Sequence, residues 1–246
     1  MTRTLIATIA LTAAAGLAAP ALAGNPLVTE TFTYPNGNLV GNGGWATHSG
    51  TGSFIQVTGG TAVLNQGGGS REDANVQIGS TLGAGQTFYA GFDFTNSANA
   101  DIVYFAHFMS TATTFTSRLF IAPPTSGGNY TVGISDTSTI GPTWASDLSY
   151  GQTYRAVIGY EFDTRISRLW INPVLPTDTN LSSAAGVSSL AVNALGLRQA
   201  GSTTIISTQT IDNLIIGNSF AAVVPTPGAL ALLGLGGLAA ARRRRA

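Results

Sequence analysis

Two carboxylates in the second half of the chain have a spacing that sugar chemistry uses. Glu161 and Asp163 lie two residues apart in a segment that alternates between hydrophobic and polar residues. A period of two predicts a β-strand and places both side chains on one face of the sheet. Paired carboxylates supply the acid and the base or nucleophile of glycoside hydrolysis. Asp163 also stands where a hairpin turn favours Asp, and a solvated turn is the interpretation that we prefer.

The other groups that could do acid–base chemistry are isolated along the chain. His48 lies in a polar loop and His107 in an aromatic-rich strand, and neither has a second histidine or a carboxylate at metal-ligand spacing. We therefore expect His107 to pack in its strand. A Ser-His-Asp triad stays open as an alternative, because its members need not be close in sequence, but no Gly-x-Ser-x-Gly elbow favours it.

Cofactor sites have little support in the sequence. The chain has no cysteine, which excludes disulfides, thiol catalysis and cysteine-based metal sites. Asp136, Asp147 and Asp178 could bind calcium, but no Asp-x-Asp-x-Asp ladder is present. The glycine run 67–69 lacks the context of a phosphate loop. We expect no cofactor.

The tryptophans are the residues that could stack on sugars. Trp45 and Trp144 are the candidate glycan contacts, although packing in the core is the default for this residue type. Trp170 alternates with Leu169 and Ile171, so it is predicted to point to the opposite face of its sheet.

β-Strands must position these residues, because a period of two runs through almost the whole body of the chain. The clearest hairpin joins residues 153–162 to 168–172 across a turn at 163–165, and no segment of the body has a convincing helical period. The predicted strands are residues 29–34, 54–57, 61–64, 87–94, 101–108, 118–121, 130–134, 153–162, 168–172, 188–192 and 211–216. About a dozen short strands predict an all-β fold, a two-sheet antiparallel jelly-roll sandwich.

The net charge of zero hides an acidic body. Five of the eleven basic residues are Arg3 and Arg242 to Arg245, near the two ends, whereas all eleven acidic residues lie between them. The body therefore carries six basic residues against eleven acidic ones, a net charge of −5. This balance argues against a nucleic-acid partner, because no basic patch is apparent to meet phosphates.

The first 23 residues have the features of a secretory signal peptide. Arg3 is followed by the apolar run 5–17, and Ala21 and Ala23 form a small-x-small cleavage site for signal peptidase. Cleavage there makes Gly24 the mature N-terminus. An uncleaved membrane anchor is the alternative, but the apolar run is short and rich in alanine.

The last 23 residues combine a proline motif, an apolar segment and a basic end. The motif and the basic residues are Val224, Pro225, Thr226, Pro227, Arg242, Arg243, Arg244 and Arg245. The apolar segment 228–241 has about 14 residues, short of the roughly 20 that a spanning helix needs, although residues 220–224 could lengthen it.

The arginines stay on the cytoplasmic side, so the tail is expected to hold the chain in the membrane at least transiently. The prolines keep the motif extended, as a protease cleft requires. An ordinary hydrophobic helix with a basic end is the alternative.

This tail resembles the PEP-CTERM sorting signal, in which Val-Pro-Glu-Pro precedes an apolar helix and arginine-rich residues. Thr226 stands where that pattern has Glu. The resemblance implies processing by an exosortase, a membrane-embedded cysteine transpeptidase, and delivery to the cell surface or extracellular matrix of a Gram-negative-type bacterium. The expected organisation is a signal peptide at 1–23, a body at 24–223 and a sorting signal at 224–246.

The body resembles a LamG-like or concanavalin-A-like jelly roll. The segments that carry the resemblance are residues 30–34 with 43–45, 88–94, 154–162 with 169–173, and 211–214. Members of this fold often bind glycans and some hydrolyse them, so the fold does not decide between these functions. Hydrolases of the laminarinase type carry Glu-x-Asp-x-x-Glu, and Ile166 stands where the third carboxylate belongs.

These observations predict an exported, non-enzymatic protein that binds extracellular polysaccharide or serves a structural role. We expect a signal helix before the sandwich and a hydrophobic helix after it. A glycan-cleaving enzyme on the same fold is the alternative. Ice binding is a third class, suggested by the threonine-rich residues 111–116, but a flat ice-binding face needs a regular threonine repeat.

Overall fold

The computed structural model describes residues 25–98, 101–200 and 206–224. The predicted signal helix, its cleavage site at Ala21, Ala23 and Gly24, and the tail from Pro225 onward lie outside these residues. The described part contains no helix that is long and apolar enough to cross a membrane.

The described residues form fifteen β-strands and one short helix. The strands are β1 (Val28–Glu30), β2 (Gly37–Asn38), β3 (Trp45–Ser49), β4 (Gln56–Thr58), β5 (Thr61–Asn65), β6 (Asp73–Gln77), β7 (Thr87–Asn96), β8 (Val103–Thr111), β9 (Thr114–Ala122), β10 (Thr131–Ser135), β11 (Tyr154–Glu161), β12 (Ile166–Ile171), β13 (Leu181–Ser182), β14 (Ala194–Leu197) and β15 (Thr208–Gly217). The helix, α1, covers Phe220–Val223 and follows the last strand.

The strands pair into two antiparallel sheets. Sheet A has nine strands in the order β13-β12-β11-β7-β15-β5-β4-β2, with β1 paired to β15. Sheet B has six strands in the order β10-β9-β8-β14-β6-β3. The predicted all-β fold with two antiparallel sheets is confirmed, and the arrangement is consistent with a jelly-roll sandwich.

The core lies between the sheets and follows the alternation along each strand. Ala156, Ile158 and Tyr160 of β11 join the main core, whereas Val157 packs on the outer face of sheet A. Trp170 likewise points outward, away from the neighbouring core residues, as the alternation predicts. A local period of two was therefore sufficient to orient this hairpin.

Two of the predicted strands are wrong in whole or in part. Residues 188–192 are not a strand. The backbone N–H of Val192 donates to the Leu190 carbonyl in a local turn, and the strand β14 begins only at Ala194. Strand 29–34 ends early, because the N–H of Phe32 donates to Glu30 Oε1 at 2.6 Å and Phe32 has φ +50°. The body does contain a helix, α1, which at four residues is too short to show a helical period.

Glu30 organises the first loop through a buried hydrogen-bond cluster. Its Oε2 accepts bonds from the Tyr34 hydroxyl at 2.7 Å and from the Trp45 indole N–H at 3.1 Å. Burial and then the bond to Glu30 raise the pKa of Tyr34 to about 12. Gly43 is required here, because a Cβ would lie 1.9 Å from the Tyr34 hydroxyl and its φ is +52°. The segments 30–34 and 43–45, which carry part of the resemblance to a jelly roll, therefore meet in one hydrogen-bonded cluster.

The segment 220–224 packs on the outer face of sheet A, and we call it the C-terminal strap. Phe220 and Val223 are buried against Trp170 and Val157, and Val224 is also buried. The Arg155 guanidinium donates to the Val223 carbonyl at 2.7 Å. The idea that this stretch lengthens the apolar tail is therefore wrong, because these residues belong to the folded body.

Candidate functional site

A cleft of about 470 Å³ opens where the two sheets meet beside the loops after β10 and β13. Its walls are residues 114–116 at the start of β9, the loop 135–142, the loop 183–190 and Tyr160. Most of this lining is apolar, with hydroxyl groups of serine and threonine interspersed. A concave, mainly apolar site with a few polar groups is the usual form of a small-ligand site.

Asp136 lies on the cleft wall and ties the two sheets together. Its Oδ1 accepts bonds from the Thr116 hydroxyl at 2.6 Å, from the Ser117 N–H at 3.2 Å, and from the Ser167 hydroxyl. Its Oδ2 accepts a bond from the Ser183 hydroxyl at 2.8 Å. Since β9 belongs to sheet B and β12 to sheet A, this carboxylate links the two sheets beside the cleft.

The cleft is equipped for binding hydroxyl groups rather than for proton transfer. Asp136 is the single carboxylate among the described residues that line it, and no histidine is among them. Thr137 and Thr139 are exposed on the rim, so their hydroxyls can reach a ligand. Phe115 adds an aromatic side chain to the wall.

Glu161 and Asp163, the two carboxylates considered for glycoside hydrolysis, accept separate hydrogen bonds in the structure. Glu161 ends β11 and accepts a bond from the Thr164 hydroxyl at 2.7 Å. Asp163 accepts the N–H of Gly85 at 2.8 Å, which fixes the turn. Glu161 lines a small pocket of about 130 Å³ beside Arg168, and Asp163 is not among its lining residues. The geometry supports the interpretation of a turn.

The loop aspartates proposed for calcium are engaged by backbone N–H groups. Asp147 accepts three of them within residues 125–128, at 2.5 to 3.1 Å. Desolvation raises the pKa of Asp147, but these bonds outweigh it and hold the pKa well below its usual value. Asp178 accepts the N–H groups of Leu175 and Val174, which lower its pKa. The described residues contain no cluster of three or more metal-ligating side chains.

The two histidines lie together, although they are far apart in sequence. His48 belongs to β3 rather than to a loop, and its ring centre lies 5.7 Å from that of His107 in β8. His107 has no exposed surface, and neither of its ring nitrogens has a hydrogen-bond partner in the described part of the chain. Burial, His48 and two nearby arginines lower the pKa of His107 well below its ordinary value. The expectation of a packed His107 agrees with this burial, but sequence spacing missed its partner.

The tryptophans offer less to a sugar than the sequence suggested. Trp45 is 2% exposed and donates to Glu30, so its ring has no free face for stacking. Trp170 is 3% exposed beneath Phe220. Trp144 is half-buried at the edge of the core and keeps part of its ring accessible.

Comparison with known proteins supports the fold but identifies no family. No family model and no curated protein matches the chain. A solved chain described as "Sialidase" is similar, with 11% identity and a TM-score of 0.55 over 80% of this chain and 19% of that one. Lectin II from Ulex europaeus has 12% identity and a TM-score of 0.45 over 71% of this chain and 92% of that one. Alginate lyase AlgAT5 from polysaccharide lyase family 7 has 10% identity and a TM-score of 0.46 over 72% and 95% of the two chains.

The chain thus spans only about a fifth of the sialidase chain that it matches. At this identity the similarity concerns the fold alone. The similar structures include lectins of the concanavalin-A-like jelly-roll class as well as two whose names denote enzymes.

Proposed function

We propose that the protein is an exported, non-enzymatic protein that binds polysaccharide at the cell surface or in the extracellular matrix. The observation that carries the binding role is the cleft around Asp136. Its hydroxyl groups and aromatic wall suit a sugar, which presents both hydroxyl groups and apolar C–H faces. Its volume of about 470 Å³ lies in the usual range for a small-ligand site.

The cleft chemistry favours binding over cleavage. Glycoside hydrolysis by the common mechanisms needs two carboxyl groups that flank the scissile bond. Asp136 has no second carboxylate among the described lining residues, and its oxygens already accept bonds from four protein donors. A group so engaged is a poor general base, because a proton transfer to it would disrupt the bonds that it accepts.

Export and sorting complete the proposal. The signal peptide would direct the chain to signal peptidase, and the tail from Val224 to Ala246 would direct it to an exosortase-like enzyme. The apolar segment would hold the protein in the inner membrane during sorting. No metal or cofactor enters this proposal, and neither does a nucleic-acid partner.

A binding screen with a blocked cleft tests the central claim. We expect the full chain to bind at least one glycan in a panel of neutral and acidic polysaccharides without releasing reducing or unsaturated ends. Ala185→Trp places a large side chain at the exposed wall of the cleft and should abolish that binding. Val174→Trp adds the same side chain at a site 58% exposed and outside the cleft, and it should bind normally.

Two results would overturn the proposal. Turnover of a polysaccharide by the wild-type chain would show that the protein is an enzyme. Binding that persists unchanged in Ala185→Trp would show that the cleft is not the site.

A further inference from the structure

The outer face of sheet B collects charged and aromatic side chains, and of these only Phe115 also lines the cleft. Both histidines of the body lie there with Tyr104, Phe115 and two arginines. We call this set the basic aromatic face; its members are His48, Tyr104, His107, Phe115, Arg118 and Arg198. His107 fits because Gly196 on the neighbouring strand has no side chain, and a Cβ there would lie 2.5 Å from His107 Nε2.

The basic aromatic face is concave. His48 lies on β3 and Phe115 on β9, which are four strand positions apart in sheet B. On a flat sheet four steps span about 19 Å, at about 4.8 Å per step. The two rings are nevertheless only 5.8 Å apart. Two side chains cannot close such a gap on a flat sheet, so the outer face curves inward and forms a groove.

Two arginines in this groove have no carboxylate partner among the described residues. The Arg198 guanidinium lies 4.2 Å from the centre of the Tyr104 ring, and the Arg118 guanidinium lies 5.4 Å from it. Their hydrogen bonds run to backbone carbonyls, from Arg118 to Asp136 at 2.5 Å and from Arg198 to Tyr104 at 3.4 Å. The one ion pair among the described residues involves a different arginine, on sheet A. The guanidinium groups therefore keep free N–H donors and an unneutralised charge.

The imidazole of His107, which has no hydrogen-bond partner within the described ranges, is the second, independent sign of a ligand. Buried polar groups almost always have a hydrogen-bond partner, and each exception calls for an explanation. The Arg118 Nε atom in the same groove is also buried, with no hydrogen-bond partner in the part of the chain that the structure describes. Two positive guanidinium groups beside the imidazoles disfavour a bound cation but favour an anion that accepts hydrogen bonds.

We propose that the basic aromatic face binds the carboxylate or sulfate groups of an acidic polysaccharide. Arg118 and Arg198 would pair with the anionic group, and Tyr104 and Phe115 would contact the sugar ring. This inference rests on the proposed function, because it takes the ligand to be a polysaccharide. It assigns the anionic group to arginines that do not line the cleft, although Phe115 borders both sites. It also gives an acidic protein a means to hold an acidic polymer, because two of the six arginines of the body meet in this groove.

Calorimetric titration of the full chain with polygalacturonate, dextran sulfate and neutral dextran tests the proposal. Polygalacturonate or dextran sulfate should bind with an affinity that falls as NaCl rises, and the tighter of the two identifies the preferred group. Replacing Arg118 and Arg198 together by Gln should weaken that binding at least tenfold, since each charge-assisted contact contributes strongly. Arg168→Gln, on the outer face of sheet A, is the matched control and should bind like the wild type.

The two imidazoles provide a readout that does not depend on a variant. The chain has only two histidines, so the imidazole signals in a ¹H–¹⁵N NMR spectrum report on this groove alone. Polygalacturonate or dextran sulfate should shift both signals, and neutral dextran should leave them in place. The proposal is overturned if neither polyanion shifts these signals, including the case in which Zn²⁺ shifts them and the polyanions do not. It is also overturned if Arg168→Gln weakens binding as much as the double variant.

The result separates this proposal from the one for the cleft. Loss of acidic polysaccharide binding in the arginine variant, with normal binding in Ala185→Trp, supports the basic aromatic face and counts against the cleft. Loss in Ala185→Trp with normal binding in the arginine variant has the opposite meaning.

Discussion

Asp136 is an acceptor for donors from both sheets, and its removal has a predictable cost. Thr116 and Ser117 donate to it from sheet B, and Ser167 and Ser183 donate from sheet A. We predict that Asp136→Ala lowers the free energy of unfolding by about 1–3 kcal/mol, because these buried donors lose their common acceptor. Urea denaturation followed by tryptophan fluorescence measures the change.

The control is an aspartate without such partners. Asp101 is exposed, so Asp101→Ala should change the free energy of unfolding by no more than about 0.5 kcal/mol. Equal losses in the two variants would mean that the Asp136 cluster adds no specific stability.

His107 makes the stability of the body depend on pH. Burial is the largest cause that lowers its pKa, followed by the neighbouring His48, Arg118 and Arg198. The unfolded chain, with a histidine pKa of about 6.5, therefore binds the proton more readily than the folded chain. The stabilisation is complete above that value and is lost as the pH falls toward the folded pKa.

We therefore predict that the wild type loses more stability between pH 7 and pH 5 than His107→Phe does. Phenylalanine keeps the ring but cannot be protonated. His48 contributes less, because burial lowers its pKa whereas Asp73 and the backbone of Ala74 raise it. Urea unfolding at the two pH values gives the comparison. Parallel losses in the two proteins would contradict the assignment to His107.

The C-terminal strap depends on one glycine of β7. A Cβ at Gly91 would lie 2.5 Å from the Val223 carbonyl oxygen and 2.9 Å from an Arg155 nitrogen. We predict that Gly91→Ala detaches residues 220–224, because the added methyl group occupies the space of the strap carbonyl. Limited proteolysis with mass spectrometry should then show cleavage between Gly217 and Val224, a region that the wild type protects.

Gly83→Ala is the matched control for this prediction. Its Cβ would meet no atom closer than 3.7 Å, and the backbone there is not left-handed. It should leave the strap protected. Protection of the strap in Gly91→Ala as well would mean that the apolar contacts of Phe220 and Val223 hold it without the Arg155 bond.

The same elements show what a single sequence can reveal. The period of two is local, so it was sufficient to place Ala156 in the core and Trp170 on the opposite face. The meeting of His48 with His107 depends on β14 and β6 lying between their strands, which only the complete topology determines. Serine and threonine are frequent in this chain, so no pattern marked Ser167 and Ser183 as partners of Asp136. The strap was missed because four helical residues show no period.

At the scale of the whole molecule, the folded body ends where the proposed sorting signal begins, and the two overlap at Val224. Val224 is buried on sheet A, and only residues 225–227 separate it from the apolar segment. Three extended residues reach about 10 Å, so a body attached to a membrane through this segment stays close to the surface. Its net charge of −5 is unfavourable next to anionic lipid, which suits temporary attachment better than permanent residence.

The four terminal arginines are the part of the tail whose role can be tested most directly. We predict that deleting Arg242 to Arg245 leaves the protein secreted or mislocalised, because the chain then lacks the charge that stops translocation. Replacing the same four residues by lysines keeps the positive charge and should preserve sorting if charge alone is needed. Fractionation of the producing cells and the mass of the mature protein measure both outcomes. An unchanged location and mature mass after the deletion would refute the sorting proposal, because a stop-transfer segment without its charged end should no longer hold the chain.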